Sequence, residues 1–145
     1  MYQAKNLTKE APRSPRVRVG GYAILARLAD KGRATLAGMQ GEYNFDCPLD
    51  KMLLGFKGVG AQEVKDLLAS GKSDDEIAAW LDAHGAPKTE VEVKAWSDSI
   101  EKIRPYENPE IRDHVFAECT KLGLDPVTTT LPDYLEADDR ASFKN

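Results

Sequence analysis

The chain has 145 residues, 41% of them hydrophobic and 30% charged, with a formal net charge of −4. That is one domain's worth of sequence, able to bury about two-thirds of its unfolded surface, and it excludes a collagen-like chain, a low-complexity tail and a disulfide scaffold. No apolar run approaches the roughly 20 residues of a membrane span, and net acidity removes any general attraction for nucleic acid.

Residues 1–20 read as an extended arm: Pro12 and Pro15 interrupt any periodicity, Arg13, Arg16 and Arg18 crowd into six positions, and Gly20-Gly21 closes it. Met1 to Arg18 lacks the apolar stretch of an export signal, so the expected compartment is the cytoplasm. Cys47 and Cys119 form no C-x-x-C pair and are expected as free thiols there. His84 and His114 stand alone, so no metal site and no cofactor are expected.

Residues 21–145 read as a helical body. Tyr22 to Lys31 carries Leu25, Leu28 and Ala29 as one stripe, with Arg27, Asp30 and Lys31 on the other face. Gly32 either stops this helix or permits a close contact inside a longer one. Residues 41–46 alternate Tyr43 and Phe45 with polar neighbours, but a lone strand lacks a partner, so a short β-like loop is expected. Helices follow over Pro48–Phe56, Ala61–Ser70, Ser73–His84, the stripe from Val93 to Ile103, Asn108–Leu122 and Leu131–Phe143. Ser73 with Glu76 makes a capping box, Thr89 caps the next helix, and Gly71, Gly85 and Gly123 are stops. The expected fold is a compact all-α single domain of about six or seven helices.

Several segments carry a resemblance. Ser14-Pro15-Arg16-Val17-Arg18-Val19-Gly20-Gly21-Tyr22, Asp30-Lys31-Gly32-Arg33-Ala34, Gly41-Glu42-Tyr43 and Cys47-Pro48-Leu49-Asp50 resemble the signature of a bacterial family of domains of unknown function, number 5069. Ser73-Asp74-Asp75-Glu76-Ile77, Trp80, Trp96 and Asp133 to Arg140 extend the likeness over nearly the whole chain. The resemblance implies a stand-alone, mostly helical bacterial domain and supplies no activity and no catalytic residue.

Charge is unevenly spread. Residues 1–72 hold 12 Lys and Arg against 7 Asp and Glu, and residues 73–145 hold 8 against 17. The simplest reading is that the halves neutralise each other across the fold. The alternative is an anion site: Arg13, Arg16 and Arg18, with Lys31 and Arg33 completing a positive wall, Asp30 orienting an arginine, and Tyr43 and Asp50 lining the pocket. Cys47, just before Pro48 at a helix start, is a candidate nucleophile, and Tyr43 a candidate acid–base group. A reading helix with Glu90, Glu92 and Asp98 against Lys94 argues against DNA binding. Asp133, Glu136, Asp138 and Asp139 lack a calcium-loop pattern and read as a solvated face or a dock for the arginine arm. The leading expectation is therefore a domain that binds a small anion or an acidic partner segment. A small enzyme acting on a carboxylate- or phosphate-bearing metabolite through the same pocket is the alternative, and a self-assembling structural protein the second alternative.

Overall fold

Helix α1, Leu25–Leu36, sets the architecture. In the computed structural model, which describes residues 3–143, every residue from Leu25 to Ala34 is buried. A surface helix buries one stripe. This one is enclosed because α2 (Pro48–Lys57), α3 (Ala61–Ala69) and α4 (Asp74–Ala83) all pack on it. The N-terminal arm is also tucked in, with Leu7, Pro12, Pro15 and Val19 buried. The face opposite the apolar stripe is therefore interior as well: Arg27, Asp30, Lys31 and Arg33 are only 3% to 7% exposed.

Small residues permit this enclosure. A Cβ at Gly32 would lie 2.4 Å from Leu68 Cδ1 and 3.1 Å from Phe45 Cε1. Gly32 thus serves close contact, and α1 runs through it to Leu36. Gly32→Ala is expected to cost about 1–3 kcal/mol by overpacking, seen as a lower urea midpoint at unchanged slope.

The entry to α1 is a tight turn. Val19 and Tyr22 exchange backbone hydrogen bonds across Gly20 and Gly21, whose φ angles are 58° and 88°. Ser97 Oγ accepts from the Ala23 N–H at 3.0 Å and donates to the Gly21 carbonyl at 2.8 Å. That buried hydroxyl ties the turn to α5, Glu90–Glu101.

The other helices follow local signals. Ser73 with Glu76 and Thr89 with Glu92 close reciprocal capping boxes. Gly58 and Gly123, at φ 66° and 74°, end α2 and α6 (Arg112–Leu122) in the left-handed conformation that glycine adopts without strain. The start of α6 differs from expectation. Asn108 Oδ1 accepts from the Glu110 N–H in a turn, the helix begins at Arg112, and Ile111 is 42% exposed instead of inward. Helix α7 spans Leu131–Ser142. A single 3-10 turn occupies Pro105–Glu107.

The result is an all-α fold of seven α-helices among the described residues, with no sheet; residues 41–46 form turns. The core gathers Tyr22, Ile24, Leu28, Leu53, Val64, Ile77, Leu81 and Ile100. Trp96 and Trp80 pack at its margin, stacked on Phe56 and His84. Among the described residues no helix is long and apolar enough to cross a membrane. The first two residues of the arm and the last two of the helical body lie outside the described residues.

Candidate functional site

The three arm arginines go to three places. Arg13 grips Asp30 through Nε at 3.1 Å and Nη2 at 3.0 Å, and Asp74 through Nη1 at 2.9 Å. Arg16 holds Asp133 at 2.7 Å and Glu136 at 3.2 Å on α7. Arg18 holds Asp98 at 2.7 Å and Glu101 at 3.0 Å on α5. Arg18 borders a separate cleft with Gly20, Gly21, Lys88, Lys94, Asp82 and Glu90. The Ala23 and Ile24 N–H groups are given to Ser97 and to the Pro15 carbonyl. The basic and acidic halves of the sequence thus meet within one chain.

Arg33 joins Arg13 on the Asp74 carboxylate, at 2.7 Å. Burial pushes this carboxyl up, but hydrogen bonds and charge from Arg13 and Arg33 outweigh it and hold Asp74 below the usual carboxylate range.

The remaining expected residues surround α1. Lys31 Nζ lies 2.9 Å from Asp50 Oδ1 and donates to Cys47 Sγ at 3.0 Å. Asp50 is fully buried, and its Oδ2 accepts from the Asp46 N–H at 2.9 Å. Cys47 is the N-cap of α2, with Pro48 at the first helical position. The Tyr43 hydroxyl donates to Asp139 Oδ1 at 2.8 Å, beneath the Arg27 guanidinium. Burial and then the Asp139 hydrogen bond raise the Tyr43 hydroxyl above its ordinary value, so it is held as a donor.

Arg27 is the residue that sequence periodicity misses. Its side chain is 5% exposed and forms a bidentate pair with Asp139 at 2.8 and 3.2 Å, with a further bond to the Arg13 carbonyl at 3.3 Å. These bonds use three of the five N–H groups of a guanidinium. Among the described residues no acceptor within bonding distance meets the other two.

Arg27 lines a groove of about 410 Å³ between α2 and α7. Leu49 and Met52 form one apolar wall, and Ile103, Leu131 and Leu135 the other. Its polar groups are Arg27, Arg104, Asn108 and Cys47. No carboxylate lines it among the described residues, although the chain carries 24 Asp and Glu. Asp139, Asp50 and Glu107, the partners of Arg27, Lys31 and Arg104, all stand outside its wall. A neighbouring hollow of about 480 Å³ shares Arg27 and Leu135 but is lined by Glu42, Tyr43 and Asp138. There burial, with the charge of Asp139 behind it, raises the Asp138 carboxyl. An acid-free apolar groove with a few fixed polar groups is the common form of a small-ligand site.

Cys119, in contrast to Cys47, is 1% exposed on α6 and packs as core.

The family model described as Domain of unknown function (DUF5069) matches residues 9–141. No curated protein matches the chain.

Proposed function

Since the chain belongs to the DUF5069 family, whose description assigns no activity, we propose from its geometry that it is a cytoplasmic binding domain for a small organic acid with an apolar body. The ligand sits in the groove between α2 and α7. One observation carries the reading: apolar walls combine with two arginines and no carboxylate. The acid's carboxylate meets the unshared N–H groups of Arg27, in charge-assisted hydrogen bonds. Its hydrocarbon lies along Leu49, Met52 and Leu135, where burial contributes about 25 cal/mol per Å². The anion is placed at Arg27 and not at the arm because, although all four arginines hold carboxylates of their own chain, Arg27 lines the acid-free groove and Arg13, Arg16 and Arg18 do not.

Octanoate is the first probe. It is expected to raise Tm progressively with concentration, as any ligand that binds only the folded state does. Octanol should stabilise less, because it cannot answer the guanidinium, and inorganic phosphate should have no effect, because it has no apolar body. Met52 is 38% exposed, so Met52→Asp should keep the fold and remove the octanoate effect. Equal stabilisation of wild type and Met52→Asp, or of wild type by phosphate, contradicts the reading. The enzyme alternative draws support from Cys47 at the same wall, to whose sulfur Lys31 donates from behind.

A further inference from the structure

Cys47 stands where two features meet. Behind it, inside the fold, Lys31 donates to its sulfur at 3.0 Å while held by Asp50 at 2.9 Å. Lys31 is 3% exposed and Asp50 fully buried, so this is an interior cation–thiol–carboxylate cluster and not a surface lysine brushing a thiol. In front of it lies the acid-free groove, whose lining includes Arg27 and Arg104. A thiol is the strongest nucleophile among the ordinary side chains, and its reactivity follows its electrostatic surroundings.

We infer that Cys47 is a covalent attachment site for carboxylate-bearing electrophiles, with α,β-unsaturated carboxylic acids as the matching class. The inference rests on the groove reading and adds a chemical step to it. The groove orients the acid, and the sulfur attacks its β-carbon. A C–S bond forms, the π pair moves to the α-carbon, and the thiol's proton ends there. Atoms and electrons balance with no oxidant and no leaving group. Holding the acid beside the sulfur makes the step effectively unimolecular.

Iodoacetate and iodoacetamide test the site, because they differ only in carrying a carboxylate or a neutral amide. In each case the C–S bond forms, iodide leaves and the proton goes to solvent. Rates are read by peptide mass spectrometry at Cys47, in the folded protein and in urea. The ratio of iodoacetate to iodoacetamide rates should be about tenfold higher in the fold, roughly 1.4 kcal/mol of selection. Cys119 should stay unmodified until urea unfolds the chain.

Changing Lys31 alone would strand the buried Asp50 charge, so the informative variant neutralises both: Lys31→Met with Asp50→Asn, where the amide oxygen still accepts from Asp46. Its rates with both reagents should fall together, while the ratio, set by the groove, stays above the unfolded value. An unchanged ratio between fold and urea, or a Cys47 inert in the fold, overturns the inference. Octanoate stabilisation of Cys47→Ser, measured alongside, separates the two claims. If it persists while selectivity is absent, the attachment site alone falls; if both are absent, the groove reading falls with it.

Discussion

Asp74→Ala should destabilise the fold by about 3 kcal/mol, measured as a lower denaturant midpoint at equal slope. Asp74 is 6% exposed at the first position of α4, and its two oxygens are divided between Arg13 and Arg33. One carboxylate therefore clamps the arm, α1 and α4 together. Removing a partner from a buried charge pair costs about 3–5 kcal/mol because the remaining charges stay buried. Arg13 is 28% exposed in its side chain, which places the loss at the lower end of that range. Asp74→Asn keeps an acceptor oxygen and should cost less. The same residue sets a pH dependence. Its folded-state value is depressed, so its contribution is complete above the unfolded carboxylate range and fades as pH falls through the lower folded value. Wild type should lose stability below about pH 4 more steeply than Asp74→Asn.

Asp139→Ala should release α7. This helix buries only Pro132, Ala137 and Asp139, so charged contacts supply much of its attachment. Asp139 accepts the bidentate Arg27 pair and the Tyr43 hydroxyl, with side-chain exposures of 5% for Arg27 and 10% for Asp139. The expected loss is about 3–4 kcal/mol, with faster amide exchange confined to residues 131–142. Arg16→Ala is the contrast. Its pairs with Asp133 and Glu136 are 30% to 56% exposed on the acidic side, and exposed pairs contribute about 0–1 kcal/mol. If Arg16→Ala loosens α7 as much as Asp139→Ala does, the buried pair is not the anchor.

What the sequence revealed follows the range of each interaction. The capping box at Ser73 and the cap at Thr89 are closed by residues three positions apart and stand as read, and the structure adds the reciprocal Glu92 bond at Thr89. The all-α class is equally local, since it sums helical periodicities. The start of α6 misled because Asn108-Pro109 fits a cap, while Asn108 spends its side chain on the turn at Glu110.

The site was harder to read because it is assembled from distant segments. Arg13, Arg16 and Arg18 are neighbours in sequence. Between them the chain turns, with the Val17 N–H donating to the Ser14 carbonyl at 3.0 Å. Their guanidiniums therefore reach three different pairs of carboxylates, on α1 with α4, on α7 and on α5. Arg27 was overlooked because an apolar stripe marks only one buried face, and α1 is buried on all of them. The available signal was the run of small residues, Ala26, Ala29, Gly32 and Ala34, which lets neighbours close in on several sides. The groove joins Cys47 to Ile103 and Leu135, and no periodicity spans such separations.

The most direct measurement observes the arginine side chains themselves. In a ¹⁵N-labelled sample titrated with octanoate, the Arg27 Nε–H resonance should shift in a saturable way, with the Met52 methyl moving in parallel. The Nε–H of Arg13, bound to Asp30, and that of Arg16, bound to Glu136, should stay in place. Movement of Arg13 and Arg16 with Arg27 and Met52 unaffected would contradict the account and return the anion to the arm.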